Sequence, residues 1–227
     1  VSIGYGINNE LSNMLREEQA DSLVKLNIDT GIFGGIIGSG KRFGMNYNLE
    51  ARMRHDMTWD FIFNGGLDIA FLSFAEIDSA GNVNVSKFGD KMNGSGGFID
   101  ISQTVKTLIF SGTMVVGSKS HTDNNELVID AEGHSKKFVD TVQSMDFNAE
   151  YSRRLGQEVF YVTERAVFQL TDDGLELIEI APGLELERDV LSQMSFRPKV
   201  SQDLKVINEA LYSETWGKLA ESIQNNH

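Results

Sequence analysis

The stretch Leu67-Asp68-Ile69-Ala70-Phe71-Leu72-Ser73-Phe74 decides the fold class, because it is apolar at nearly every position. A strand with one solvated face alternates apolar and polar residues, whereas an almost continuous apolar run is typical of a strand buried on both faces. Residues 107–112 form a second run of this kind. Both runs predict inner strands of a parallel sheet that is covered on its two faces.

The beginning of the chain predicts the same architecture. Residues 1–6 have the pattern of a strand that ends in a glycine turn, residues 8–18 have the periodicity of a helix, and residues 23–28 have the pattern of a second strand. Strand, helix and strand in this order start a βαβ unit, whose two strands are parallel.

The rest of the chain adds shorter elements. Residues 49–57 and 190–194 have modest helical patterns, and Gly81-Asn82 marks a hairpin turn. Alternating segments that predict antiparallel or edge strands lie at residues 126–129, 158–163, 166–170 and 175–180. We therefore expect an α/β fold with an open, mixed, largely parallel sheet and flanking helices over residues 1–200, followed by a helical tail over residues 201–227.

The composition restricts the possible partners. The chain has 227 residues, no cysteine and a formal net charge of −13. The absence of cysteine excludes disulfides and thiolate chemistry, and the negative charge disfavours nucleic acids and anionic membranes as partners. The four histidines have no ligand spacing, and no calcium-loop pattern is present, so we expect no metal site. Without an apolar stretch long enough to cross a bilayer or a signal peptide, a cytoplasmic protein is expected.

Asp29 is the first candidate for chemistry. It ends a short apolar run and is followed by Gly31, Gly34 and Gly35. A buried carboxylate is costly unless it is paired, and glycines let a ligand approach the main chain closely. This combination suits a nucleophile or a ligand clamp. Taken alone, however, the segment is better explained as a turn aspartate that caps its own backbone.

Other polar and glycine-rich motifs are weak by themselves. Residues 34–42 lack the Gly-Lys-Ser/Thr order of a phosphate loop, and Gly4-Tyr5-Gly6 lacks the third glycine of a dinucleotide fingerprint. Residues 93–97 contain no nucleophile elbow, but their glycines could direct two amides at an oxyanion or could form a loose loop. In residues 81–89, the polar groups of Asn84, Ser86 and Lys87 exceed what a hairpin needs. They suit an extended, amide-rich ligand or a solvated edge strand.

Taken together, five ordered motifs resemble the C-terminal, β-subunit-like half of the family I coenzyme A transferases, and most closely the short-chain acyl-CoA and 3-ketoacid transferases. The similarity extends to about Pro198 and implies a fold like that of CoA transferases and ribose-5-phosphate isomerase. The motifs are Gly65-Gly66-Leu67-Asp68-Ile69-Ala70-Phe71, then Ala75-Glu76-Ile77-Asp78 with Gly81-Asn82-Val83-Asn84-Val85-Ser86-Lys87-Phe88, Gly96-Gly97-Phe98-Ile99-Asp100-Ile101-Ser102-Gln103, Tyr161-Val162-Thr163-Glu164-Arg165-Ala166-Val167-Phe168, and Glu179-Ile180-Ala181-Pro182-Gly183.

The resemblance implies covalent catalysis by a carboxylate. The family nucleophile is a glutamate in a Glu-x-Gly triplet followed by a Gly-Gly pair, and the matching residues here are Asp29-Thr30-Gly31 and Gly34-Gly35. Aspartate is one methylene shorter, about 1.5 Å of reach. This departure from the family pattern is a natural variation with a shifted backbone, an engineered replacement, or a sign of lost transferase activity, and the intact neighbouring motifs favour the first two.

The resemblance also implies further site residues. Tyr5 and Gly6 match amides that face the thioester carbonyl, and Gly96, with Gly97 as the alternative, matches a second oxyanion donor. Glu50 and Glu164 lie in matched segments and are interpreted as structural or supporting carboxylates. The residues expected to bind CoA are Gly4, Gly34, Gly35, Val85, Ser86, Lys87 and Phe88.

Coenzyme A would be the substrate and the covalent intermediate, with no permanently bound cofactor. The resemblance further implies carboxylic acid acceptors, an N-terminal or α half supplied by the same polypeptide or by a separate subunit, and a homo-oligomer of two or four such units. Three activities remain open from the sequence: CoA transfer, acyl-CoA hydrolysis through the same intermediate, and non-catalytic CoA binding.

Overall fold

The computed structural model describes residues 1–4 and 7–225, apart from the side chains of Ile7 and Asn9. Within these residues the α-helices are α1 (Leu11–Glu17), α2 (His55–Phe63), α3 (Phe98–Ser102), α4 (Ala149–Leu155) and α5 (Leu219–Asn225). Short 3₁₀ turns lie at Ile7–Glu10, Gly40–Arg42, Leu191–Gln193 and Glu209–Tyr212, and one π turn lies at Leu186–Val190. No helix in this part of the chain is long and apolar enough to cross a lipid bilayer.

The strands are mostly short. In chain order they are β1 (Ser2–Ile3), β2 (Asn27–Ile28), β3 (Ile32–Phe33), β4 (Ile36–Ile37), β5 (Asn46–Tyr47), β6 (Ala51–Arg52), β7 (Ile69–Ser73), β8 (Glu76–Ile77), β9 (Val83–Asn84), β10 (Lys87–Phe88), β11 (Lys91–Met92), β12 (Thr107–Ser111), β13 (Val115–Val116), β14 (Lys119–Asp123), β15 (Glu126–Ala131), β16 (Ser135–Lys136), β17 (Glu158–Val162), β18 (Ala166–Thr171), β19 (Gly174–Ile180) and β20 (Lys199–Val206).

A central sheet has the strand order β20-β19-β18-β17-β12-β7-β1-β2-β3-β6. Its five middle strands, from β17 to β2, are mutually parallel. Antiparallel strands flank them, with β18 and β19 on one side and β3 and β6 on the other. The prediction of an open, mixed, largely parallel α/β sheet is confirmed. As a consequence, the carboxyl ends of five neighbouring strands lie along one edge.

The apolar run in β7 is buried from both sides, as its sequence predicts. Leu72 belongs to a large core cluster that contains Phe110 and Tyr161, whereas Phe71 packs against a smaller cluster around Ile28. Successive strand residues point to opposite faces, so these neighbours reach different clusters. Core packing on both faces therefore supports β7, which carries one of the loops at the carboxyl edge of the sheet.

The structure differs most clearly from the sequence predictions in two segments. Residues 49–57 do not form one helix: Glu50 N and Met53 N donate to Phe33 O (2.9 Å) and Gly31 O (2.8 Å), so this backbone pairs with β3 and the helix begins at His55. The tail from residue 201 is also not wholly helical, because β20 pairs with β19. In the tail up to residue 225, helical turns occur only at Glu209–Tyr212 and Leu219–Asn225.

The last helix returns to the first one. The carboxylate of Glu18 accepts hydrogen bonds from the backbone N–H groups of Trp216 and Gly217, both at 2.9 Å, and of Leu219 at 3.3 Å. These donors, that of Gly217 above all, lower the pKa of Glu18 below its usual value because they stabilise the charged form. Leu219 and Ile223 then pack against the smaller core cluster.

Candidate active site

The candidate site lies at the carboxyl edge of the parallel strands. Gly4 follows β1 and Asp29 follows the adjacent strand β2. In open α/β sheets, ligands bind outside the carboxyl ends of such strands, because the connecting loops meet there. The first two predicted site segments are thereby brought to neighbouring positions. Tyr5 and Gly6, the predicted oxyanion donors of the first segment, lie outside the described residues.

Asp29 occupies the tight turn between β2 and β3. Gly31 closes this turn: its N–H donates to Ile28 O at 3.0 Å, its φ is +93°, and an added Cβ would lie 2.2 Å from Met53 O. Asp29 is partly exposed. Within the described part of the chain, its carboxylate accepts no hydrogen bond and forms no ion pair, so it does not cap its own turn in the way that the segment alone suggested.

Gly97 faces this carboxylate. It stands at the N-terminal end of α3 with φ −80°, and a Cβ added to it would lie 2.7 Å from Asp29 Oδ2 and 2.4 Å from Trp59 Cη2. The carboxylate therefore rests against bare main chain, beside the indole of Trp59 from α2. Trp59 is fixed in turn by a 3.1 Å hydrogen bond from its Nε1 to His55 Nε2. No sequence motif pointed to Trp59.

The loop before α3 is shaped by glycines with left-handed backbones. Gly94 and Gly96 have φ of +78° and +54°, and a Cβ on either would meet open space. Among the described residues, no acceptor takes the N–H of Gly96 or Gly97. Within this part of the chain, both amides are thus available to an added ligand oxygen.

Asp146 fixes the start of the segment 85–88 through hydrogen bonds. Its carboxylate accepts hydrogen bonds from Val85 N (2.7 Å), Ser86 N (2.8 Å) and Ser86 Oγ (2.8 Å). The fully buried Asn84 accepts from Ser86 N and Lys87 N. The expectation that Asn84 and Ser86 carry surplus polar groups is therefore wrong, since the fold uses both. No sequence motif contained Asp146.

The side chains of Lys87 and Phe88 remain open to solvent. Lys87 is partly exposed and has no acidic partner among the described residues, and Phe88 is 45 % exposed. Both belong to β10, which pairs with β11. Asn93 N then donates to Ser86 O at 2.7 Å, which ties this hairpin to the glycine loop before α3. A ligand on Lys87 would be next to the loop that contacts Asp29.

Gly34 and Gly35 are not brought to Asp29. Gly34 N donates to Leu26 O at 2.8 Å, which places the pair at the amino end of β2, about 10 Å of strand away from Asp29. Packing explains why these residues are glycines. A Cβ added to Gly34 would lie 2.7 Å from the Glu50 side chain, and a Cβ added to Gly35 would lie 2.4 Å from Tyr47 O. Gly34 and Gly35, the two glycines expected to bind CoA, thus lie at the opposite end of β2 from Asp29.

The two matched glutamates have structural contacts. Glu50 forms an exposed ion pair with Lys25 at 2.5 Å. Glu164 accepts from Met114 N at 2.9 Å and from Arg165 Nε at 3.3 Å. Burial disfavours the charge of Arg165, but hydrogen bonds to Glu132 and the charges of Glu132 and Glu164 raise its pKa above the usual value.

A lysine and a polar cluster complete the edge. Lys137 Nζ lies 5.0 Å from the ring centroid of Phe74, the residue directly after β7. Burial lowers the pKa of Lys137 below its usual value, and the charge of Glu164 offsets part of this effect. Asn8 bridges the ends of β7 and β12 through hydrogen bonds with Ser73 and Ser111. In residues 1–4 and 7–225, no group of three acidic, histidine or cysteine side chains could hold a metal ion.

Comparison with solved structures defines the class of protein. The chain matches the acyl-CoA transferase YdiF of Escherichia coli O157:H7 in its apoenzyme form with a TM-score of 0.90 and 41 % identity, over 95 % of this chain and 41 % of that one. The structure of the same transferase as a thioester complex with CoA matches equally well, at 40 % identity. Glutaconate CoA-transferase of Acidaminococcus fermentans shares the fold, with a TM-score of 0.66 and 17 % identity over 92 % of this chain and 82 % of that one.

Curated sequences agree with this class. The chain is 39 % identical to caffeate CoA-transferase of Acetobacterium woodii over 224 residues, or 96 % of this chain. It is 44 % identical to acetate CoA-transferase YdiF of Escherichia coli K12 over 212 residues, or 93 % of this chain. The chain is therefore homologous to one part of these coenzyme A transferases, and the resemblance found in its motifs is confirmed. It spans 43 % and 40 % of the length of these two relatives. No family model matches the chain.

Proposed function

We propose that this chain transfers coenzyme A between a short-chain acyl-CoA and a carboxylic acid. One observation carries the proposal: the Asp29 carboxylate, without a partner among the described residues, rests against the bare backbone of Gly97. A carboxylate nucleophile needs access to a thioester carbonyl and nearby donors for the charge that develops on its oxygen. Homology to one part of the CoA transferases supports this assignment, and thioester formation in the YdiF complex supports a covalent route.

The reaction proceeds in two symmetrical halves. An oxygen of Asp29 attacks the acyl-CoA carbonyl carbon, and collapse of the adduct breaks the C–S bond, leaving an acyl anhydride on Asp29 and the CoA thiolate. The thiolate then attacks the Asp29 carbonyl of the anhydride and releases the first carboxylic acid, which yields an Asp29–CoA thioester. The acceptor carboxylate repeats these steps in reverse and leaves as the new acyl-CoA.

Main-chain amides stabilise each oxyanion. The N–H groups of Gly96 and Gly97 are the donors next to Asp29, and those of Tyr5 and Gly6 complete the set. Such preorganised donors contribute about 10²–10³ in rate when tested one at a time. The exposed side chains of Lys87 and Phe88 contact the CoA portion that leads away from the thioester, and Gly4 and the main chain of Val85 and Ser86 border its path.

The proposed active unit contains more than this chain. Because the chain spans about two fifths of its relatives, a complementary α half, in the same polypeptide or as a separate subunit, supplies the other wall of the site. Acyl specificity is set partly by that wall. We further propose a homo-oligomer of such units and a cytoplasmic location, with CoA as substrate and covalent intermediate.

Mass spectrometry after a chemical trap tests the proposal. The chain, combined with its complementary half, is incubated with acetoacetyl-CoA or acetyl-CoA and then treated with borohydride, which reduces a carboxylate thioester. We expect a modification at Asp29, its loss in Asp29→Asn, and retention in Asp203→Asn, whose exposed carboxylate lies in β20.

The other outcomes separate the alternatives. Release of free CoA without an acceptor acid identifies a hydrolase that uses the same intermediate. Binding of CoA that is unchanged in Asp29→Ala, with no adduct and no turnover, identifies a non-catalytic binding subunit and overturns the proposal.

A further inference from the structure

A two-stranded ribbon, β14–β15, stands apart from the central sheet. All five residues of β14 are exposed, and the ribbon has no strand partner outside itself among the described residues. In the described part of the chain, only the β15 edge is held by the body of the molecule: Leu127 is buried and its N–H donates to Pro182 O at 2.9 Å. Isolated ribbons of two strands are marginally stable in water, so the free edge of β14 is a place where pairing adds stability.

The directions of the unpaired backbone groups follow from the register. Thr122 is opposite Leu127. Because Leu127 N–H points away from β14 to Pro182, this is a non-hydrogen-bonded pair, and the N–H and C=O of Thr122 also point outward. The same holds two residues earlier for Ser120. Among the described residues, nothing accepts from or donates to these four outward groups.

The edge is regular enough to pair. Ser120 is opposite Ile129 and Lys119 is opposite Ala131, so the extra residue of the irregularity is Asp130, on β15. A bulge twists the strand that contains it, which here is the inner strand. The tight turn Asn124-Asn125, with φ of +50° and +64°, matches the twist of its two strands, and the register is unbroken from Ser120 to Asp123.

We infer that β14 is an interface between two copies of this chain, paired antiparallel about a twofold axis at His121. In this register, Ser120 of one copy is opposite Thr122 of the other, and the outward groups form four main-chain hydrogen bonds. Lys119 is opposite Asp123 at both ends, which joins opposite charges on one face of the ribbon.

The charge pattern favours a second copy over other edges. The sequence Lys119-Ser120-His121-Thr122-Asp123 is complementary to itself only when reversed, because parallel pairing would oppose Lys119 to Lys119 and Asp123 to Asp123. A lone lysine often protects an edge strand from pairing, but here each lysine meets an aspartate. The His121 ring is held aside by Asp130 of its own copy, at 2.9 Å.

Sedimentation velocity of this chain combined with its complementary half, over a range of concentrations, tests the inference. The formal net charge of −13 on each copy opposes association at low ionic strength, so the measurement is made at about 0.15 M salt, where the Debye length is about 8 Å. We expect a weak, concentration-dependent dimer. Lys119→Asp alone and Asp123→Lys alone should each weaken it about tenfold, since two attractive pairs become repulsive.

Mixing the two single variants is the decisive step. In a mixed pair, the new aspartate of one copy lies opposite the new lysine of the other, and the unchanged Asp123 and Lys119 face each other at the opposite end. The dimer should therefore return, although neither variant dimerises well by itself.

Two matched charge reversals, Lys205→Asp and Asp172→Lys, both at exposed positions, should leave the dimer unchanged. A monomer at all concentrations, or a dimer that the single variants do not weaken, overturns the inference. Because the readout is mass, the result is independent of the proposed reaction.

Discussion

The carboxylate of Asp29 lies against the main chain of Gly97, so closely that a Cβ at position 97 would be 2.7 Å from Asp29 Oδ2. The two residues belong to different elements, a β-hairpin turn and the start of α3, and the side chain of Trp59 fills the space beside them. This relationship fixes how far the carboxylate can move and where a thioester must enter.

Gly97→Ala should reduce CoA transfer by about a hundredfold, the order of effect expected when reacting groups are displaced by about 1 Å. The backbone of Gly97 has an ordinary φ of −80°, so alanine is not strained there. The added methyl group would instead collide with the side chains of Asp29 and Trp59. Initial rates with the complementary half present measure the loss. Gly217→Ala, at φ +67° in open space, is the control for a generic glycine substitution, and equal activity of both variants would contradict the prediction.

Asp29→Glu should not raise activity. The resemblance left open whether the shorter side chain is a lesion or an adaptation. Because the aspartate carboxylate already reaches Gly97, an added methylene would press the carboxylate into that loop or turn it away, and we expect a loss of about tenfold or more. Single-turnover formation of the CoA thioester is the measurement. A faster reaction in the variant would show that Asp29 lacks reach.

Asp146→Asn should destabilise the fold by about 1.5–3 kcal/mol, as expected when a charged acceptor is lost. Its carboxylate accepts three hydrogen bonds from Val85 and Ser86, and an amide would place a donor against one of these donors. Urea unfolding measures the free energy. We also expect KM for acyl-CoA to rise, because the segment that carries Lys87 loosens. Asp140→Asn, at an exposed position, should change neither quantity.

Lys137→Met should increase the free energy of unfolding at pH 7, with a gain that shrinks as pH approaches 10.5. Burial lowers the pKa of Lys137 below its value of 10.5 in the unfolded chain. At pH 7 the folded state therefore carries a charge that it disfavours; as pH rises through the lowered pKa, the folded state releases its proton first and wild-type stability recovers. Thermal or urea unfolding at pH 7 and pH 10 compares both proteins, with exposed Lys205→Met as the control. A gain of equal size at both pH values would show that charge burial is not its cause.

The sequence is sufficient to predict the central sheet, but not the arrangement of the residues in the candidate site. The apolar run in β7 predicts an inner parallel strand because a strand that is buried on both faces needs apolar residues at nearly every position. The helical pattern of residues 49–57 is misleading because their backbone pairs with β3, and local periodicity does not report such a long-range contact. The ribbon strand β14 has no signal in the sequence for a related reason, since a strand exposed on both faces has no apolar alternation.

The contact between Asp29 and Gly97 could not be inferred from spacing, because the strands from β3 to β11 and the helix α2 lie between the two residues along the chain. Only the resemblance of several motifs placed both in one site. Asp146 and Trp59 had no such motif, and their roles depend on side-chain contacts that form after folding. Gly34 and Gly35 show the reverse case: tight packing on the neighbouring segment already requires glycine at both positions, so their residue type alone does not indicate a ligand.

The bond between Glu18 and the start of α5 has a consequence for biosynthesis. A ribosome makes residue 18 long before residues 216–219. The contacts between the end of α1 and the start of α5 therefore cannot form until this segment has been translated. During that interval Leu11, Leu15 and Val24 expose an apolar surface that Leu219 and Ile223 later cover. Chaperone capture and premature aggregation of nascent chains should therefore concentrate on this first βαβ unit.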